Sequence, residues 1–159
     1  QGIPVSTMRD GTPKGYAILH IDNNNYSFDY KVVGEADDYA IGLFGPAVVA
    51  EKFVRRYTLH ANFYIGTKKD QLRYKVDGGN WKEMERADDY DPTYTREGLA
   101  CEGAEEFIKG RRPSDVVPST HLWKVKVPKL TVGKHLITVE AKDIFGRVHT
   151  AVKEVEVVK

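Results

Sequence analysis

Apolar and polar residues alternate along most of the chain, a period of two that predicts β-strands with one buried face. The alternation is clear in residues 26–32, where three aromatic residues and Val32 alternate with polar ones. Residues 16–21 precede this segment across an Asp-Asn-Asn-Asn sequence. Because Asn and Asp tolerate left-handed backbone and cap their own turns, the two segments are predicted to form a hairpin.

A second hairpin is predicted for residues 72–84. Leu72, Tyr74 and Val76 alternate with basic residues, and an Asp-Gly-Gly-Asn turn sequence follows them. The same criteria predict further strands at residues 39–44, 57–65, 120–127, 137–141 and 147–158. In the last of these segments the apolar positions shift phase, so we expect a β-bulge near Lys153.

The spacing of these strands indicates the fold class. Roughly eight to ten short strands with frequent turns, and no alternation of strands with helices, favour two packed antiparallel sheets over a parallel α/β fold. The pattern breaks down between residues 87 and 118, which we interpret as a long structured insertion with a helical turn or two in residues 97–109. We therefore predict a single all-β domain spanning residues 1–159.

Composition and charge narrow the classes of function. The chain has 159 residues, with 24 basic and 23 acidic side chains interspersed, so it lacks the basic surface typical of nucleic-acid binding and we expect no nucleic-acid partner. Its apolar runs are too short to cross a bilayer, so we expect no membrane span. The lone Cys101 excludes an intramolecular disulfide and has no adjacent His to activate it.

Several segments, taken in order, resemble a known family. They lie at residues 10–16 (DGTPKGY), 30–34 (YKVVG), 81–84 (WKEM), 90–92 (YDP), 120–123 (THLW), 133–135 (GKH) and 143–147 (DIFGR). Their order and spacing resemble the C-terminal domain of calcineurin-like metallophosphoesterases of the Bacteroidetes type. The resemblance covers most of the chain.

This resemblance implies an immunoglobulin-like antiparallel β-sandwich at the end of an exported hydrolase, extracellular or periplasmic. It also implies that a catalytic phosphoesterase domain in the same polypeptide performs the chemistry. The family's catalytic half carries the metal-binding motifs D-x-H, G-D-x-x-D, G-N-H-[DE] and G-H-x-H, and none of them occurs here. We therefore expect a non-catalytic accessory domain with no cofactor and no metal site of its own.

Three aromatic residues are candidates for ligand contact. Trp81, Tyr90 and Tyr94 flank turns, and exposed rings of this kind stack on sugars in carbohydrate-binding sandwiches. A glycan- or surface-binding module is therefore the alternative hypothesis. Trp123, in contrast, is in phase with Val125 and is predicted to be core.

Polar candidates allow two interpretations each. Asp91 and its acidic neighbours could bind calcium or simply cap their own turns. Arg111 and Arg112 could meet an anionic group on an adjacent domain or lie in solvent. His121 lies on the same face as Trp123, where a histidine held by a backbone carbonyl is favoured over a catalytic base.

Overall fold

The computed structural model describes residues 7–106, 109–110 and 112–159. Within these ranges the helices are α1 (Pro92–Glu102) and a 3₁₀ helix (Glu51–Arg56). The strands are β1 (Gly15–Asp22), β2 (Asn25–Val32), β3 (Ile41–Phe44), β4 (Val48–Ala50), β5 (Thr58–Phe63), β6 (Gln71–Val76), β7 (Lys82–Glu83), β8 (Glu85–Tyr90), β9 (Pro118–Lys126), β10 (Gly133–Lys142) and β11 (Val148–Val158). The all-β fold class is confirmed.

Two sheets form the body of the domain. One has the strand order β4-β11-β10-β6-β7 and the other β3-β5-β9-β8. Neighbouring strands are antiparallel except that β4 runs parallel to β11. The core lies between the sheets and is built from alternate residues of both, including the fully buried Leu59, Phe63, Trp123, Leu72, Ile137, Val139 and Val155. This burial confirms the predicted sandwich and the core position of Trp123, while the finer immunoglobulin-like assignment stays a prediction.

The first predicted hairpin forms, but it stands outside both main sheets. Among the described residues, β1 and β2 form a separate two-stranded sheet, from Gly15 opposite Val32 to Asp22 opposite Asn25. Burial rises along β2 from the exposed Tyr26 near the turn to the buried Val32 at the base. The expected half-buried strand is therefore buried at one end rather than on one face.

The prediction of a β-bulge near Lys153 is wrong. Strand β11 pairs with β10 in one unbroken register from Val148 to Val157. Val148 and Val152 lie on the exposed face, while Val155 and Val157 lie on the buried face, so apolar residues on both faces produce the apparent phase shift. An irregularity in register occurs instead in β8, between Ala87 and Asp89.

Residues 87–118 begin inside β8 and contain α1, which starts at Pro92 rather than in the predicted 97–109 segment. Asp91 is the N-cap of the helix, because its carboxylate accepts hydrogen bonds from the Thr93 and Tyr94 backbone N–H groups. Pro92 occupies the first turn, where its missing N–H is not needed. The Asp-Pro pair is thus the local signal that sets the start of this helix.

Candidate functional site

A buried group of polar side chains lies where residues 7–13 cross the ends of β5 and β9. We call it the polar cluster. Five of its six members are nearly inaccessible to solvent, and Asp10 is half-buried. The members are Asp10, Thr12, Asn62, Asp91, Ser119 and His121. Because buried polar atoms are costly without partners, their hydrogen bonds define the geometry of this site.

Asn62 sits at the centre of the polar cluster, and its partners determine how its amide is oriented. The amide Nδ2 donates to Asp91 Oδ2 at 2.9 Å and to the backbone oxygen of Asp10 at 3.2 Å. Its Oδ1 therefore faces His121 Nδ1, 2.6 Å away. Since an amide oxygen only accepts hydrogen bonds, Nδ1 of His121 carries a proton.

The other ring nitrogen of His121 faces residues 7–13, the N-terminal segment of the described chain. Nε2 lies 3.4 Å from Asp10 Oδ2 and 3.4 Å from Thr12 Oγ1. The neutral ring can accept from the Thr12 hydroxyl, and the protonated ring can donate to the Asp10 carboxylate. Both arrangements bind residues 10–12 to β9.

Hydrogen bonding within the polar cluster keeps Asp10 ionised. The hydrogen bond with His121 is the largest cause that lowers the pKa of Asp10 below its usual value, and the Thr12 backbone N–H, which donates to Oδ1 at 3.0 Å, lowers it further. Burial works against these effects by raising the pKa. The result is a carboxylate bound more strongly in its charged form.

The lowered pKa of Asp10 predicts a loss of stability in acid. Because the folded pKa lies below the ordinary 3.8, the contribution of Asp10 is complete above pH 4 or so and falls as the pH drops below that value. Asp10→Asn, which cannot ionise, lacks this contribution at every pH. Denaturant unfolding measures the free energy of unfolding of the parent protein and of Asp10→Asn between pH 6 and 2. The difference between these two free energies is expected to become smaller as the pH falls. A constant difference would contradict this assignment.

Residues 7–13 are also attached to the 87–118 insertion. Arg9 Nε donates to the backbone oxygen of Asp115 at 2.6 Å, and the Val117 backbone N–H donates to the oxygen of Arg9 at 3.2 Å. Thr7 Oγ1 donates to Glu97 Oε1 on α1 at 2.9 Å. The N-terminal segment therefore connects the sandwich to the insertion.

A cavity of about 760 Å³ opens between these two segments. Arg9, Tyr94, Glu97, Cys101 and Arg112 are among the residues that line it. The Arg112 guanidinium is paired with the carboxylates of Glu102 and Asp115, so its charge is compensated within the insertion. Arg111, the other arginine predicted to make a domain contact, lies outside the described residues.

The three aromatic candidates do not share one surface. Trp81 is half-buried beside the five-stranded sheet, with Arg73 and Lys75 over its ring at 4.7 and 4.6 Å from the centroid. Tyr90 is exposed at the end of β8, in the other sheet. Tyr94 is buried, and its hydroxyl donates to the backbone oxygen of Ser114. This placement gives no support to a stacking platform for a glycan.

Asp91 is used structurally rather than left free for a ligand. One carboxylate oxygen caps α1 and the other accepts from Asn62, whereas its neighbours Asp88 and Asp89 are exposed on β8. Within residues 7–106, 109–110 and 112–159, no group of three or more His, Cys, Asp or Glu side chains is arranged to hold a metal ion. The same ranges contain no helix with the length and apolar character needed to span a bilayer.

The sequence identified His121 and Asp91 as candidates but missed their partners. His121 is held by the side chains of Asn62 and Asp10, not by the backbone carbonyl that we expected. The reason is that β5 and the N-terminal segment come from distant parts of the chain. The one available signal for Asp10 and Thr12 was their place in the DGTPKGY motif.

Comparison with protein families gives one clear match. A family model described as the C terminal of calcineurin-like phosphoesterase matches residues 1–149 of the chain. No curated protein matches it. The matched range includes the polar cluster, the insertion, strands β1 to β10 and only the first two residues of β11.

Proposed function

Because this chain belongs to the C-terminal domain family of calcineurin-like phosphoesterases, we propose that it is a non-catalytic accessory domain of an exported enzyme of this kind. The domain belongs with a calcineurin-like catalytic domain in the same polypeptide. In this proposal it packs beside that domain and contributes to its stability or to substrate access.

The observation that carries the proposal is the attachment of residues 7–13. In this proposal the catalytic domain precedes the chain, because the matched family is described as C-terminal. We call residues 7–13 the connecting segment. It is bound to the sandwich through Asp10 and Thr12. Buried hydrogen bonds restrict this segment to one place on the sandwich, unlike a flexible polar linker. This restriction supports a defined packing of the two domains.

The position of the insertion supports a role near the active-site mouth. Residues 87–118 contact the connecting segment through Asp115, Val117 and Glu97. The insertion thus contacts the segment through which the catalytic domain is connected in this proposal. We propose that this insertion borders the mouth of the catalytic site and limits which phosphoesters enter it.

The proposal predicts that the 159-residue chain alone has no phosphatase activity. Two-metal phosphoester hydrolysis needs ions about 3.5–4 Å apart, held by several His, Asp and Asn ligands. The described residues gather no such set. Hydrolysis of a chromogenic phosphoester, measured with added manganese or zinc, is expected to stay at the level of buffer.

The matched control is the full-length polypeptide under the same conditions, which is expected to hydrolyse the substrate and to lose activity with a chelator. Chelator-sensitive hydrolysis by the 159-residue chain itself would refute the non-catalytic assignment. A full-length enzyme whose activity and melting temperature did not change on removal of this domain would refute a role in stability or access.

A further inference from the structure

One side of the β1–β2 hairpin consists of apolar residues. The register places Ala17 opposite Tyr30, Leu19 opposite Phe28 and Ile21 opposite Tyr26, so all six side chains lie on one face. We call this the apolar hairpin face. Leu19 is 61% exposed and Ile21 72% exposed. Exposed apolar residues grouped on one face are a feature of interaction sites.

The hairpin is held in place on its β2 side. Arg147 donates to Asp29 Oδ1 at 2.5 Å and to the backbone oxygen of Phe28 at 2.8 Å. Phe145 packs edge-on against Phe28 and Tyr26, with ring centroids 5.4 and 6.1 Å apart. These contacts fix the position of the hairpin relative to the sandwich. They leave the β1 half of the apolar hairpin face open to solvent.

The connecting segment, residues 7–13, contacts the base of this same face. Tyr30, a member of the face, donates its hydroxyl to the backbone oxygen of Pro13 at 2.6 Å. Pro13 in turn forms a β-bridge with Thr7, the first described residue. A domain that precedes the chain is therefore connected through residues that contact the base of the apolar hairpin face. Linkage in one polypeptide raises the effective concentration of the partner domain, to about millimolar for short flexible linkers, which favours contact with that domain over contact with a second copy.

We propose that the apolar hairpin face is the surface that packs against the catalytic domain of the same polypeptide, an inference that rests on the proposed function. The partner surface is apolar, since it must replace water around Leu19 and Ile21. Tyr26 stands at the edge of the face, where its ring packs against apolar groups and its hydroxyl stays available for a hydrogen bond. The preformed hairpin limits the entropy lost when the contact forms.

Photo-cross-linking in the full-length polypeptide tests this assignment. The photoreactive residue p-benzoylphenylalanine replaces Leu19 in one sample. Matched samples carry it at Leu99 on α1, 64% exposed, and at Val152 on β11, 59% exposed. These three positions differ little in exposure, so location decides the result. We expect intramolecular cross-links from position 19 to catalytic-domain peptides, with a yield at least about tenfold above that from position 152.

The other outcomes show whether the hairpin assignment alone or domain packing as well is wrong. Cross-links to the catalytic domain from position 99 but not from position 19 would overturn the hairpin assignment and leave domain packing intact. Equal yields from positions 19 and 152 would overturn it as well. In a mixture of isotopically light and heavy polypeptides, cross-links from position 19 between copies would identify a self-association surface instead. No cross-link to the catalytic domain from any of the three positions would overturn both proposals.

A charge substitution provides a second measurement that does not depend on cross-linking. Leu19→Asp places a carboxylate in the proposed interface, where losing its hydration is unfavourable. We expect amide hydrogen exchange in the contacting catalytic-domain peptides to become faster in this variant of the full-length polypeptide. Val152→Asp, on a surface of similar exposure, is expected to leave that exchange unchanged. The same exchange in the Leu19→Asp variant and the parent polypeptide would contradict the assignment.

Discussion

Gly11→Ala is expected to lower the free energy of unfolding by about 3 kcal/mol, from backbone strain and steric overlap together. Gly11 has φ +86°, a left-handed conformation that an alanine adopts only with strain. A Cβ at this position would also overlap the carboxyl group of Asp91. Asp91 cannot easily move aside, because its carboxylate is bound to two helix N–H groups and to Asn62.

Gly34→Ala is the matched control for this experiment. Gly34 has the same φ of +86°, but a Cβ there would meet no atom within 4 Å. Its substitution should therefore show the backbone strain alone, about 1 kcal/mol. Denaturant unfolding of both variants measures the difference. Equal losses would mean that the approach of Gly11 to Asp91 does not constrain the N-terminal segment.

Asp91→Ala is expected to cost about 2–3 kcal/mol, because it removes a helix cap and a buried hydrogen-bond partner at once. The cap holds the first turn of α1, and the second carboxylate oxygen is 2.9 Å from Asn62 Nδ2. Asp91→Ser restores a capping oxygen but not the contact with Asn62. It should recover about 1 kcal/mol of the loss in unfolding free energy.

The control for Asp91 is its neighbour Asp88. Asp88 is exposed and its ion pair with Arg86, at 3.5 Å, is a surface pair, so Asp88→Ala should change the unfolding free energy by no more than about 0.5 kcal/mol. If the two alanine variants unfold alike, the buried role of Asp91 is wrong. If Asp91→Ser behaves like Asp91→Ala, the helix cap contributes little and the Asn62 contact accounts for the loss.

The two hairpins could be predicted from sequence because their signals are local. Alternation in residues 72–76 and the glycine turn that follows specify both the strands and their connection. The same applies to β1 and β2, whose Asn-rich turn joins adjacent segments. The placement of the first hairpin outside the sandwich depends on Arg147 and Phe145, which come from a turn far along the chain.

The polar cluster, in contrast to the hairpins, could not be predicted from local sequence signals. His121 was recognisable as a candidate core histidine because it lies in phase with Trp123, and Asp91 as a candidate turn cap because it lies in an Asp-rich stretch. Neither observation reveals that Asn62 joins them. Asn62 lies in a strand of alternating character, where nothing distinguishes it from other polar residues on that face.

The chain's own patterning established an all-β sandwich, its main turns and its family, since strand periodicity, turn residues and short motifs are properties of neighbouring residues. Contacts between distant residues decided the rest. Asp10 meets His121 across 111 residues and Asn62 meets His121 across 59, and such pairs exist only once the strands have docked. Folding therefore determined that the N-terminal segment is held by a buried polar cluster and that the hairpin beside it exposes an apolar face.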